Sequence, residues 1–74
     1  MKVKVSVYKA ADGSFWCHTD RDVYGTGLNA CGSTVAEAKQ DLCECLEEAR
    51  TDYAGEGKEP YPVDFEFCYD FQSF

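Results

Sequence analysis

The stretch FWCHTD, residues 15–20, places a thiol, an imidazole and a carboxylate within four positions. A Cys beside a His suggests nucleophilic catalysis, and both residue types also ligate zinc. The stretch has the composition of a β-strand, in which neighbouring side chains point to opposite faces. Cys17 and His18 therefore cannot meet as nucleophile and base, and the pattern argues against a Cys/His dyad.

The two faces of this strand carry different chemistry. The hairpin register decides which of the two sets is buried, and the AADGS loop does not fix it. We favour Phe15 and Cys17 pointing into the core, which leaves Trp16 and His18 on the opposite, open face. Asp20 shares that face with His18 two positions away, and a His near an Asp is a candidate general base. No Ser or Cys nucleophile accompanies them, so the sequence predicts a protein that is not an enzyme.

The cysteines do not have the spacing of a metal site. Cys43 and Cys45 lie two apart on a predicted helix, about 200° around its axis, so they diverge. Zinc sites use C-x2-C pairs or His at i and i+4, and neither occurs here. A site that combined Cys17, Cys31, Cys45 and His18 would mix both strand faces. YGTGLNACG lacks the features of a phosphate loop, and we predict no metal and no cofactor.

Charge and length restrict the partners. The 74 residues form one domain, residues 1–74, with 14 Asp and Glu against 7 Lys and Arg, a net charge of -7. This charge repels phosphate backbones and favours a basic partner, or serves solubility alone. Five cysteines are an odd number, and no apolar export or membrane-spanning segment is apparent. We therefore expect a cytoplasmic protein with reduced thiols.

Periodicity predicts the elements around FWCHTD. Residues 2–8 alternate as a half-buried strand, and Asp12-Gly13 is a hairpin turn signal leading into a second strand over 14–20. Residues 27–31 predict a short third strand. Thr34 and Glu37 have capping-box spacing before an amphipathic helix from Val35 to near Asp52, and a proline- and glycine-rich loop spans 54–62.

The last predicted strand alternates most regularly. Its apolar positions are Val63, Phe65, Phe67, Tyr69 and Phe71, and we expect the helix to cover them. The fold is thus predicted as α+β, in the order β-β-β-α-β: a four-stranded, mostly antiparallel sheet with one helix on one face. A right-handed crossover makes the last strand parallel to the first if the two are neighbours. The other sheet face stays open.

Three segments together resemble the HicB family of antitoxins. GSTVAEAKQDLCECLEEA is similar to the family's Gly-x-Thr-x-x-Glu-Ala helix start, MKVKVSVYKAADGSFWC to its first hairpin, and EGKEPYPVD to its Gly-x-Pro-x-Pro linker. The resemblance covers residues 2 to 64 and lies in order and spacing. DVYGTGLNAC departs from the family's Asp-x-Pro-Gly-Cys, and no DNA-binding domain follows. The resemblance implies a module that masks a small basic RNA-cleaving toxin, and it does not imply operator binding. From the acidic charge and the lack of a long apolar segment we expect no direct binding to nucleic acid or membrane.

Candidate partner contacts follow from the open face and the acidic charge: Tyr8, Trp16, His18, Asp64 and Glu66. Tyr8 and Trp16 could instead pair across the strands without any partner. The acidic helix face is a second candidate surface. The alternative function is a homo-oligomeric structural domain, a homodimer for example, in which a second copy covers the open face or pairs with a strand edge.

Overall fold

The computed structural model describes residues 1–70 and has the predicted α+β architecture. The strands are β1 (Lys2–Lys9), β2 (Phe15–Thr19), β3 (Asn29–Gly32) and β4 (Asp64–Asp70), and the helix is α1 (Val35–Gly55). They form one sheet in the order β3-β2-β1-β4. Phe71, which the periodicity assigns to the last strand, lies outside the described residues.

In the first hairpin the side chains point to the favoured sides of the sheet. β1 and β2 are antiparallel, with Val7 opposite Cys17 and Tyr8 opposite Trp16. Cys17 is 1% exposed and Trp16 is 37% exposed, which confirms that Cys17 points inward. The connecting turn closes through a hydrogen bond from the Gly13 amide to the Ala10 carbonyl.

The crossover through the helix makes β4 parallel to β1, as predicted for neighbouring strands. Val3 lies opposite Phe65, and Val5 lies opposite Phe67. Both β1 valines are fully buried, so this side of the two strands faces the helix layer. Two of the three strand pairings are antiparallel, and the sheet is mixed.

The helix begins at the predicted cap. The Thr34 hydroxyl accepts a hydrogen bond from the Glu37 amide at 3.1 Å. The Glu37 carboxylate does not return to the Thr34 amide as a capping box requires; it accepts from the Ser33 amide at 2.9 Å. The helix continues to Gly55, one turn beyond Asp52, because no strong breaker precedes Gly55.

The helix lies over β3 and β2, and the expectation that it covers the last strand is only partly met. Its buried residues Ala38, Leu42 and Ala49 pack in one core with the β1 valines and Cys17. On β4, Phe65 and Phe67 are half-buried and Tyr69 remains 51% exposed. Within residues 1–70 no helix combines the length and apolar character needed to cross a bilayer.

A tyrosine cluster holds the C-terminal end of the helix. Tyr24 and Gly25 both have positive φ, 53° and 84°, as the central residues of a type I′ turn require. The Tyr24 amide donates to the Tyr61 hydroxyl at 2.8 Å, and the Tyr24 hydroxyl donates to the Tyr61 carbonyl. The Tyr24 ring also packs on Tyr53 at 5.3 Å between centroids. The loop after β2, the helix end and the linker to β4 are thereby joined.

Candidate functional site

The sheet face opposite the helix is called the open face below. Strand parity and register assign to it the side chains that alternate with the buried ones. They lie in two rows across all four strands and two shorter rows: Cys31, Trp16, Tyr8 and Asp70; Asn29, His18, Ser6 and Cys68; Lys4 and Glu66; Lys2 and Asp64.

Three of the predicted contact residues form one group, the aromatic cluster of Tyr8, Trp16 and His18. Tyr8 and Trp16 are direct cross-strand partners, and His18 is paired with Ser6 one position further along the same face. The Tyr8 and His18 rings meet edge to face, with centroids 5.6 Å apart. Tyr8 and His18 are half-buried, so Trp16 presents the most exposed ring of the three.

The indole of Trp16 is oriented from the hairpin turn. Its Nε1–H donates to the Ser14 hydroxyl at 2.9 Å, and that hydroxyl donates to the Asp12 carboxylate at 2.6 Å. The Ser14 hydroxyl and amide both donate to Asp12 and lower the pKa of its carboxyl. The Trp16 N–H therefore already has an acceptor within the chain, and a surface that covered the ring would not bury an unpaired donor.

The two predicted acidic contacts are not beside this cluster. Asp64 lies opposite Lys2 and Glu66 opposite Lys4, both towards the other end of β4. The carboxylate residue in the row of Tyr8 and Trp16 is Asp70, which the sequence reasoning missed. Asp70 has the same strand parity as Asp64 and Glu66, so a known β1–β4 register would have found it.

The imidazole of His18 has no acid–base partner among the described residues. No hydrogen bond or ion pair of residues 1–70 joins it to a carboxylate, and Asp20 is instead ion-paired with Arg21 at 3.3 Å. Cys17 lies behind it on the helix side of the sheet. The contact that the structure gives the imidazole is the edge-to-face packing against Tyr8.

The five cysteines are free thiols in different surroundings. Cys31, Cys43 and Cys68 are exposed, whereas Cys17 is buried and Cys45 partly so. Burial raises the pKa of the Cys17 thiol. Burial also raises the pKa of Cys45, with a further contribution from the nearby Asp41 carboxylate. Within residues 1–70 no three His, Cys, Asp or Glu side chains come together as a metal site.

A shallow acidic groove lies away from the open face, between the helix and the segment that leads into β3. Leu28, Cys45 and Ala49 line it together with the carboxylate residues Glu48 and Asp52. Its acidic lining continues onto the exposed helix surface at Glu47. Exposed carboxylates on a helix are commonly only solvated, so the groove by itself indicates no ligand.

Comparisons with models of known protein families, with curated proteins and with solved structures gave no match.

Proposed function

We propose that this chain is a small acidic protein-binding module, similar to a HicB antitoxin or to an orphan relative of such antitoxins. Its partner would be a small basic protein, for example an RNA-cleaving toxin whose active surface it masks. The observation that supports this proposal best is the aromatic cluster of Tyr8, Trp16 and His18 on a sheet face without a helix. Trp and Tyr are the residue types that most often dominate binding energy at protein interfaces.

The cluster has the physical properties of a preorganised contact. Trp16 is 37% exposed, and its indole N–H is held by the Ser14 hydroxyl at 2.9 Å. A ring whose orientation is already set loses little conformational entropy when a partner covers it. A partner that covers the ring then buries its apolar area without leaving an unpaired hydrogen-bond donor. Such a contact lets a small patch bind with useful affinity.

The net charge of -7 supports a basic partner. Complementary charge increases the rate of encounter and discourages association between like-charged copies. Two carboxylate residues, Asp64 and Glu66, share the open face with the cluster and lie opposite Lys2 and Lys4. Under this proposal the cluster supplies the contact, and the overall charge supplies the steering.

The test is affinity capture from lysate of the source cell with the tagged chain, eluted in salt steps under reducing conditions. We expect a small basic protein to elute at moderate salt and, if it cleaves RNA, to be inhibited by added chain. Trp16→Ala should weaken its capture by at least about tenfold, as for a binding hot spot, while Trp16→Phe should retain most of it.

Recovery of the chain alone at every salt step would contradict the proposal. Equal capture by wild type and Trp16→Ala would separate the function from this surface, because the partner would then bind elsewhere. The circular dichroism spectrum of each variant checks that the substitution has left the fold intact.

A further inference from the structure

The outer edge of β4 has backbone groups that point away from the sheet. The Asp64 amide donates to the Met1 carbonyl at 2.9 Å, so Asp64 uses its backbone groups towards β1. Along a strand this direction alternates, and the N–H and C=O groups of Phe65 and Phe67 therefore point outward. No hydrogen bond among residues 1–70 reaches them. These outward groups are called the β4 edge below.

The opposite edge of the sheet is protected. On β3 the Cys31 amide donates to the Asp41 carboxylate at 3.3 Å, and the Asn29 carbonyl accepts from the Cys45 thiol at 3.6 Å. Both groups come from α1, which leans over this side of the sheet. Exposed edges readily pair with another strand unless something blocks them. The β3 edge is blocked by the helix, and the β4 edge has no equivalent cover in the described chain.

The two faces beside the β4 edge differ sharply in chemistry. Asp64 and Glu66 present exposed carboxylates on the open face. Phe65 and Phe67 present half-buried rings on the helix side, 5.9 Å apart between centroids. A strand that pairs here would gain from cationic side chains on one face and apolar side chains on the other.

The protein contains a strand of this type on the other side of β4. In β1, Lys2 and Lys4 lie opposite Asp64 and Glu66, respectively. On the other face, Val3 and Val5 lie opposite Phe65 and Phe67. The sequence of β1 alternates lysine with valine, and its pairing shows which pattern β4 accepts.

We propose that the β4 edge receives an extended segment of the basic partner in which Lys or Arg alternates with β-branched or other apolar residues. This inference rests on the proposed function, because it states how a basic protein partner is held. Main-chain hydrogen bonds to Phe65 and Phe67 provide the pairing, and the two faces of β4 select the alternating pattern.

A second copy of this chain fits the same edge poorly. Antiparallel pairing of two β4 strands about Phe67 sets Asp64 against Asp70 of the second copy. Pairing about Glu66 sets that residue against itself, and pairing about Cys68 sets Glu66 against Asp70 of the second copy. Directly opposed like charges destabilise a strand pair, so these three symmetric registers are unfavourable.

The test uses a synthetic peptide with the sequence of residues 2–9, KVKVSVYK, as the probe, and fluorescence anisotropy with the intact chain as the readout. We expect saturable binding that weakens with salt. The chain variant Asp64→Asn with Glu66→Gln should bind about 3- to 10-fold more weakly through loss of two cross-strand charge pairs. The matched variant Glu44→Gln with Glu48→Gln removes the same charge from the helix and should change binding less than about twofold.

Two N-methylated peptides test the backbone ladder without altering the protein. One is methylated at Val3, Val5 and Val7, and the other at Lys2, Lys4 and Ser6. An antiparallel strand uses the first set of amides to reach the β4 edge, and a parallel strand uses the second. Loss of binding with at least one set is expected. Full binding by both peptides, or equal weakening in the two double variants, would overturn the proposal.

Other outcomes separate this inference from the proposed function. A basic protein captured through Trp16, together with no binding of the peptide, would overturn the β4 edge and leave the function standing. Peptide binding with all the expected variant effects, but no basic protein in the lysate, would support the edge and contradict the function. A dimer in sedimentation that the peptide dissociates would identify a second copy as the occupant and overturn the proposal.

Discussion

Replacing Gly32 with alanine tests how closely the first turn of the helix packs against β3. A Cβ at position 32 would lie 2.6 Å from the Glu37 Cβ and 2.7 Å from the Ala38 amide nitrogen. Carbon contacts are normally about 3.5–4.0 Å, so the first turn of the helix must move by roughly 1 Å. The Ala38 atom is backbone and cannot rotate away. The substitution therefore acts on the helix position, although alanine suits a strand better than glycine does.

The expected cost of this overpacking is about 2 kcal/mol, within the usual range of about 1–3 kcal/mol. Domains of this size have a free energy of unfolding of about 4–11 kcal/mol, so the loss is substantial. The melting temperature should fall by about 8–16 °C, at about 4–8 °C per kcal/mol for a small domain. Urea and thermal unfolding followed by circular dichroism measure both quantities.

Gly55→Ala is the matched control, because it is the same substitution at the last helical residue with nothing within 4 Å of the added Cβ. Alanine is the better helix former, and we expect stabilisation of about 0.5 kcal/mol. If the free energy of unfolding of Gly32→Ala lies within about 0.5 kcal/mol of the wild-type value, the effect is that of an ordinary surface substitution. That result would refute the close contact between β3 and the first turn of the helix. Equal destabilisation by both substitutions would point to a general glycine effect and refute the same reasoning.

Three further predictions concern buried or capped groups. Burial raises the pKa of the Cys17 thiol, so the folded state keeps the thiol neutral while the thiol of the unfolded chain ionises near pH 8.5. The free energy of unfolding should therefore fall as pH rises above about 8.5, and it should fall less steeply in Cys17→Ala. Urea unfolding from pH 7 to 10 measures both. Asp41→Ala should speed hydrogen exchange at the Cys31 amide about fivefold, because the amide loses a hydrogen bond worth about 1 kcal/mol. An unchanged exchange rate, measured by NMR, would contradict the hydrogen bond between Asp41 and the β3 edge. Tyr61→Phe should cost about 1–3 kcal/mol in urea unfolding because the Tyr24 amide loses its acceptor, and wild-type stability would disprove that role.

The buried side of β1 could be predicted from its sequence because the alternation of its side chains is strongly marked. Three valines alternate in β1, and all are fully buried. A slip of one residue would expose them, so the buried side of β1 is determined by its own pattern. The inward residue of β2 depends on the hairpin register, which the turn sequence does not fix, and the structure places Cys17 opposite the buried Val7. The aromatic cluster of Tyr8, Trp16 and His18 results from the parity of β1 together with this register.

The stagger between β1 and β4 could not be predicted in the same way. Parity indicates that Asp64, Glu66 and Asp70 share a face, but the loop before β4 does not specify which β1 residue each will meet. That Asp70 lies opposite Tyr8 therefore does not follow from the alternation alone. The same uncertainty hid the pairing of Lys2 with Asp64, because such cross-strand neighbours depend on register and not on composition.

The position of the helix on the sheet also could not be predicted from the helical periodicity. Helical spacing identifies the apolar face with Ala38, Leu42 and Ala49, but it does not say which strands that face will cover. The sheet surface decides this through side-chain size. Small residues on β3 admit the helix backbone closely, whereas the phenylalanines on β4 occupy the space that a helix at the same distance would need.

One cause therefore accounts for both edges of the sheet. Gly32 lets the first turn approach β3 closely, and this approach brings Asp41 within 3.3 Å of the Cys31 amide. The edge of β3 is capped because the helix lies there. The same displacement leaves Phe67 half-covered, with the Lys39 ammonium 4.3 Å from its ring centroid. A helix centred on the sheet would bury the β4 aromatics and uncover the β3 amide, so the close approach at Gly32 accompanies both the capped β3 edge and the half-covered β4 aromatics.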